Sequence, residues 1–198
     1  LVVEAVWPGN TRKSREGCHI TVDLPSVSRI NLRSSNGTIK MQGLGGEAQL
    51  KTSNGSITVV GHGGPVDAET SNGSIDLQDV AGDVAMKSSN GKLTATRVGG
   101  AAKAKTSNGP VEIALGSNSR GPINATSSNG SVTLVLNSDF VGSLDLRTSN
   151  GSVKVSDSLE RYVTSRNKKK QARLRIGDGG GESQVSTSNG AIRVDRTR

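Results

Sequence analysis

A single cysteine, Cys18, rules out any disulfide within the chain and leaves its redox compartment unread. Three aromatic residues, Trp7, Phe140 and Tyr162, are too few for the stacking platform that single-stranded nucleic acids require. Nucleic acid is therefore a disfavoured partner, despite a net charge of +8. The only histidines, His19 and His62, stand far apart, and no cluster shows metal-ligand spacing. The glycine-rich turns lack a following Gly-Lys-Ser/Thr, which removes the phosphate-loop reading. Neither a metal nor a cofactor is expected. No apolar run is long enough to span a bilayer, and no basic-then-apolar leader follows Leu1, so an export signal would have to precede it. Hydrophobic residues make up 31%, close to what disordered chains carry. Their strict placement argues against disorder over residues 29–195.

What the chain has is repetition. Ser-Asn-Gly occurs eight times, at Asn36, Asn54, Asn72, Asn90, Asn108, Asn129, Asn150 and Asn189. The first five asparagines are 18 residues apart, the next two intervals are 21, and the last is 39, the sum of the two. A fixed period in this range marks a repeat architecture.

Aligned on each asparagine, apolar residues fall six and four positions before it and three and five after it. Ala48, Leu50, Ile57 and Val59 illustrate the pattern, and Ile30, Leu32, Ile39 and Met41 open it. Alternation with period two on both sides of a turn predicts two half-buried strands per repeat. A second turn is marked eight residues before the asparagine by Gly46, Gly64, Gly82, Gly100, Gly121, Gly142 and Gly181. Asn-Gly is expected to supply the positive-φ positions of a tight reversal. The extra residues of the longer repeats, within 116–120 and 137–141, are expected to bulge outward.

Parity alone does not separate a stacked solenoid from an antiparallel meander. Like stacking on like favours the solenoid: Ser34, Thr52, Thr70, Ser88, Thr106, Ser127, Thr148 and Thr187 would form one hydroxyl column beside an asparagine ladder. By parity that column points inward, toward backbone near the turn. A meander would also need a covering layer, and no helix is foreseen. The expected fold is all-β: a single-domain β-solenoid of about nine two-stranded coils, 18–21 residues each, over residues 29–198. Residues 1–28 would form a cap or entering strands, with Trp7 as a lid and a strand over 19–24. The ninth coil would lie between Asn150 and Asn189, with the basic turn 166–170 in place of Ser-Asn-Gly.

The unit Thr-Ser-Asn-Gly-Ser-Ile-x-Val, approximated at residues 52–59, 70–77 and 148–155, resembles a bacterial adhesin-like family whose domain has unknown function. That resemblance implies a β-solenoid displayed in the cell envelope or outside the cell. It brings no catalytic residues.

Charge is uneven: residues 151–198 hold 11 Lys/Arg against 5 Asp/Glu, a net of +6, whereas residues 1–150 hold 14 against 12. Three positions before each asparagine, Arg33, Lys51, Lys87, Lys105 and Arg147 form a mostly basic outward stripe, interrupted by Glu69 and continuing toward Lys168, Lys169 and Lys170. An anionic polysaccharide or cell-surface polymer is the partner these cations fit. The same residues would also serve merely to keep a sheet soluble. Asp67, Glu69, Asp76, Asp79 and Asp83 are the densest acids and the one candidate carboxylate group for a carbohydrate-processing enzyme. Glu69, flanked by Lys51 and Lys87 on adjacent coils, reads better as part of a charge ladder. His62 occupies a column otherwise held by Leu44, Val80 and Val98, which predicts packing rather than ligation. Three functions remain: a non-enzymatic adhesin-like binder, a β-helix enzyme, or a structural spacer.

Overall fold

A computed structural model describes residues 21–197 apart from 25, 118 and 120. Trp7, Cys18, His19 and most of the expected cap lie outside the described residues, while residues 21–24, placed in the expected entering strand, belong to none.

The chain alternates between two sheets. Its strands are β1 (Arg29–Ser34), β2 (Ile39–Gln42), β3 (Glu47–Thr52), β4 (Ile57–His62), β5 (Val66–Glu69) and β6 (Ile75–Val80). Next come β7 (Val84–Lys87), β8 (Leu93–Val98), β9 (Ala102–Thr106), β10 (Val111–Leu115), β11 (Ile123–Ser127) and β12 (Val132–Leu136). Then follow β13 (Gly142–Thr148), β14 (Val153–Val155), the single helical turn α1 (Asp157–Glu160), β15 (Val163–Asn167), β16 (Gln171–Ile176), β17 (Gly181–Thr187) and β18 (Ile192–Arg196). Ten strands form one sheet in the order β1-β3-β5-β7-β9-β11-β17-β13-β16-β15, and eight form the other in the order β14-β18-β12-β10-β8-β6-β4-β2.

The solenoid is therefore real. Equivalent strands of successive repeats pair in parallel with register equal to the repeat, for example Leu50 opposite Ala68 and Ala68 opposite Met86. Alternate residues point between the sheets, where Ala48, Ile57, Ile75, Leu77, Leu93 and Leu134 are fully buried. Small alanines bring the sheets together, and Leu32 stays 40% exposed in the first coil.

One strand per coil lies in the eight-stranded sheet, so the coils number eight rather than about nine. The stretch expected to form the unlabelled coil is instead an antiparallel hairpin, with β16 paired to β13 and β15 paired to β16. A coil needs apolar residues facing the core on both strands. β16 supplies Ala172, Leu174 and Ile176, but β15 supplies only the half-buried Val163.

Sequence order and spatial order also part company. The last coil, β17–β18, is inserted between the coil of β11–β12 and that of β13–β14. The asparagine ladder accordingly runs 36, 54, 72, 90, 108, 129, 189, 150, each Nδ2 donating to the Oδ1 of its predecessor at 2.7–2.8 Å.

The hydroxyl column lies where parity puts it. Thr70 donates to the carbonyl oxygen of Gly55 on the preceding coil at 2.9 Å and accepts from the Gly73 amide at 3.2 Å. Thr52, Ser88, Thr106, Ser127, Thr148 and Thr187 likewise donate to the corner glycine of the neighbouring coil. The corner glycines themselves are needed for a different reason than expected. Gly55, Gly73, Gly91, Gly109, Gly130, Gly151 and Gly190 are not in the left-handed region. A Cβ on any of them would run into the backbone of the adjacent corner.

Left-handed backbone occurs elsewhere, in a column 18 residues apart made of Gly43, Gly61, Asp79 and Arg97. It interrupts β4 and β6 at the same level, so that the register is kept, His62 pairs with Val80 and the two side chains return to the core. His62 is 2% exposed, with Nε2 donating to the Gly46 carbonyl at 2.8 Å, which is a packing role. The longer connections turn only partly outward: Ser117, Ser138 and Asp139 are exposed, but Ser119, Asn137 and Phe140 are buried, and the Asn137 amide donates to the carbonyls of Gly116 and Ser119. Ser119 in turn donates to the Gly100 carbonyl at 3.1 Å, so each connection carries a buried polar anchor.

Candidate functional site

The outward faces of both sheets carry the charge, and register decides which charges meet. On the ten-stranded sheet Arg33, Lys51, Glu69, Lys87 and Lys105 stand on five consecutive rungs. Rungs in a parallel sheet are about 4.8 Å apart. Lys51 and Lys87 both reach Glu69, at 3.0 and 2.9 Å. These bonds, from Lys87 first and Lys51 second, hold the Glu69 carboxyl below its ordinary range. The expected ladder is present, and it occupies two of the cations assigned to the stripe.

The stripe does not run on to Arg147. After Lys105 the next rungs hold Thr126 and, because the last coil is inserted there, Ser186. Arg147 stands beyond Ser186 and is bound to Asp145, which Arg173 of the hairpin also contacts. The guanidinium of Arg147, then that of Arg173, keeps the Asp145 carboxyl below its usual range. The cationic track is thus two separate zones divided by two neutral rungs.

The second zone is built by the hairpin. Its turn sits directly on the last Ser-Asn-Gly corner: the Lys170 carbonyl accepts from the Thr148 amide at 2.9 Å and the Lys169 carbonyl from the Val153 amide at 2.7 Å. Lys168 takes a left-handed conformation (φ 49°) that closes the turn. Lys154, one residue past Val153, lies in register with Arg193 of the inserted coil. Lys154, Lys168, Lys169, Lys170 and Arg193 are all exposed. None of them forms an ion pair among the described residues, whereas Lys51, Lys87, Lys92, Arg97, Arg147 and Arg166 do. Five uncompensated cations therefore share one corner of the solenoid. At the opposite end of the hairpin, Arg161 lies 4.8 Å from the Tyr162 ring centre and Arg196 lies 5.8 Å away. Hydrogen bonds from Arg196 and then Arg161 shift the phenol down from its ordinary pKa.

Lys154 and Arg193 escaped the sequence reading. Both stand four residues after an asparagine, a signal present in the alignment, but their adjacency depends on the insertion of the last coil.

The five acids do not converge. Glu69 and Asp67 lie on the ten-stranded sheet and Asp83 just ahead of its β7, while Asp76 and the left-handed Asp79 are on β6 of the eight-stranded sheet. Asp79 is bound to Arg97, and Asp83 accepts the Ala101 amide at 2.8 Å. Asp76 accepts from Gln78 at 3.4 Å and has one buried oxygen without a partner. A shallow groove of about 390 Å³ crosses the outer face of the ten-stranded sheet over Gln49, Asp67, Ala85, Lys103 and Asn124. No group of three or more His, Cys, Asp or Glu residues positioned to hold a metal occurs among the described residues. No helix among them is long and apolar enough to cross a membrane.

Residues 66–196 match the model of a protein family described as a domain of unknown function, DUF7330. No curated protein and no solved structure matches the chain.

Proposed function

The chain belongs to the DUF7330 family of unknown function, and we propose that it is a non-enzymatic, adhesin-like solenoid that holds anionic polymers at its basic corner. The supporting observation is the set Lys154, Lys168, Lys169, Lys170 and Arg193, gathered by the hairpin and the inserted coil with no acidic partner among the described residues. Cations gathered at one corner without counter-charge raise the local positive potential, and an incoming polyanion is drawn to it. Arg33 and Lys105, also exposed and without ion pairs among the described residues, would add weaker contacts along the same molecule. A long polymer reaching both zones binds with the advantage of effective concentration. Display in the cell envelope or outside the cell follows from the resemblance of the repeats to adhesin-like domains.

Retention on immobilised heparin and polygalacturonate, eluted with a salt gradient, tests this reading. Changing Lys168, Lys169 and Lys170 together to Ala is expected to lower the eluting salt sharply. Changing Lys51 and Lys87 to Ala, which are already bound to Glu69, is expected to change it little. Equal retention of the native chain and the triple variant would leave the solenoid as a spacer.

A further inference from the structure

The coil β17–β18 fills a slot whose floor and roof come from parts of the chain that precede it. β17 pairs in parallel with β11 on one side and β13 on the other, while β18 pairs with β12 and β14. Side chains lock both flanks. Thr187 donates to the Gly130 carbonyl and Thr148 to the Gly190 carbonyl, each at 2.8 Å, and Ser183 accepts the Ile123 amide at 3.0 Å.

Nothing in the local sequence encodes this gap. The interval from Asn129 to Asn150 is 21 residues, the same as from Asn108 to Asn129, where the coils stack directly. The coil that separates β11–β12 from β13–β14 thus comes from a later part of the chain. That occupant is tethered through exposed Gly177, Asp178, Gly179 and Gly180, three of them left-handed glycines with φ of 68°, 87° and 77°. Such a linker changes direction at little conformational cost.

From this we infer that the slot is a binding site for the C-terminal coil of a second copy of the chain. The contacts that hold the coil are backbone ladders and the repeated Thr-Ser-Asn-Gly corner, which are identical whichever chain supplies them. β-Strand addition of this kind draws its affinity from main-chain hydrogen bonds and its selectivity from alternate side chains. Val185, Ile192 and Val194 supply those side chains, all fully or almost fully buried. Exchange of residues 181–196 between copies preserves every contact of the monomer and changes only the path of the linker, a low-cost route to a dimer.

Thr126 and Ser186 provide the test, because they are register partners on β11 and β17 with hydroxyls 3.5 Å apart. Adjacent strands bring such pairs within disulfide range. Full-length chains carrying Thr126→Cys or Ser186→Cys, each also Cys18→Ser, are unfolded together and refolded at about 1 mM, then oxidised. A disulfide-linked heterodimer in excess over either homodimer is expected. Its yield should fall with dilution to about 10 μM, since the tethered coil competes at an effective concentration in the millimolar range. Light scattering of the cysteine-free chain refolded under both conditions should show the same dimer. Heterodimer and homodimers in random proportion, or monomer alone at about 1 mM, would overturn the inference. So would a Thr126→Cys/Ser186→Cys double variant that fails to close its disulfide within one chain at low concentration.

Discussion

Thr187 donates its hydroxyl hydrogen to the carbonyl oxygen of Gly130, at 2.8 Å and across 57 residues of chain. The equivalent bond from Thr70 to Gly55 spans 15 residues. The same local chemistry therefore joins neighbours in sequence at one end of the solenoid and distant segments at the other. Each element of that corner makes a separate prediction.

Gly73→Ala would place a methyl group against the backbone of Gly55 and Ser56, with no flexible side chain among its nearest neighbours to yield. A loss of at least ~3 kcal/mol is expected, as for other overpacked sites. For a chain of this size that lowers the melting temperature by about 10 °C. Gly37→Ala, in the first coil, meets mainly the Ser34 hydroxyl and should cost less. Thermal unfolding followed by circular dichroism compares the two.

Thr70→Val keeps the shape and removes the hydroxyl that serves the Gly55 carbonyl and the Gly73 amide. Both backbone groups are then left buried and unpaired, at about 2–4 kcal/mol together. Thr70→Ser, which keeps the hydroxyl, should cost less than about 1.5 kcal/mol. Denaturant midpoints measure the difference.

The asparagine ladder is polar, with every donor directed toward the N-terminal end. Asn36 only accepts within it, so Asn36→Asp keeps an oxygen for the Asn54 amide. Asn72→Asp instead puts a carboxylate oxygen where a donor stood, against Asn54 Oδ1 at 2.7 Å. The second substitution should destabilise by about 1 kcal/mol or more relative to the first. Urea titration at neutral pH would reveal equal effects if the ladder contributed nothing.

Glu69 predicts the acid side of the stability profile. Its folded carboxyl titrates below the ordinary value near 4.5 because Lys87 and Lys51 bind the charged form. Stability from that interaction is complete above the unfolded value and is lost as pH falls through the lower folded one. Glu69→Gln should lower the melting temperature slightly at neutral pH and flatten its dependence below about pH 4.5. Added salt should shrink the difference, since the site is exposed.

The solenoid itself was legible in the sequence because stacking repeats one environment many times. Period-two alternation placed most of the strand residues that are buried, and inward parity set Thr52 to Thr187 against backbone, whereas Phe140, Asn137 and Ser119 lie in connections where no alternation runs. Leu32 and Val155 fell short only because coils near the ends have fewer neighbours. The corner glycines were identified with the wrong cause, since contact between coils is not a property of one turn. The order of the last coils was hidden for a related reason: Asn129, Asn150 and Asn189 carry the same tripeptide, and identical labels do not say who sits beside whom. That hidden order also concealed the pairing of Lys154 with Arg193 and the break between Lys105 and Arg147.

Insertion of the final coil also divides the molecule into a part that can grow and a part that cannot. From Asn36 to Asn108 neighbours along the chain are neighbours in the stack, so a whole 18-residue module can be duplicated or excised there with every remaining partner preserved. Beyond Asn129 the same edit would have to open strands braced by chain from both directions. Length differences among related proteins should therefore accumulate toward the N-terminal half, while the C-terminal end stays constant in its number of modules.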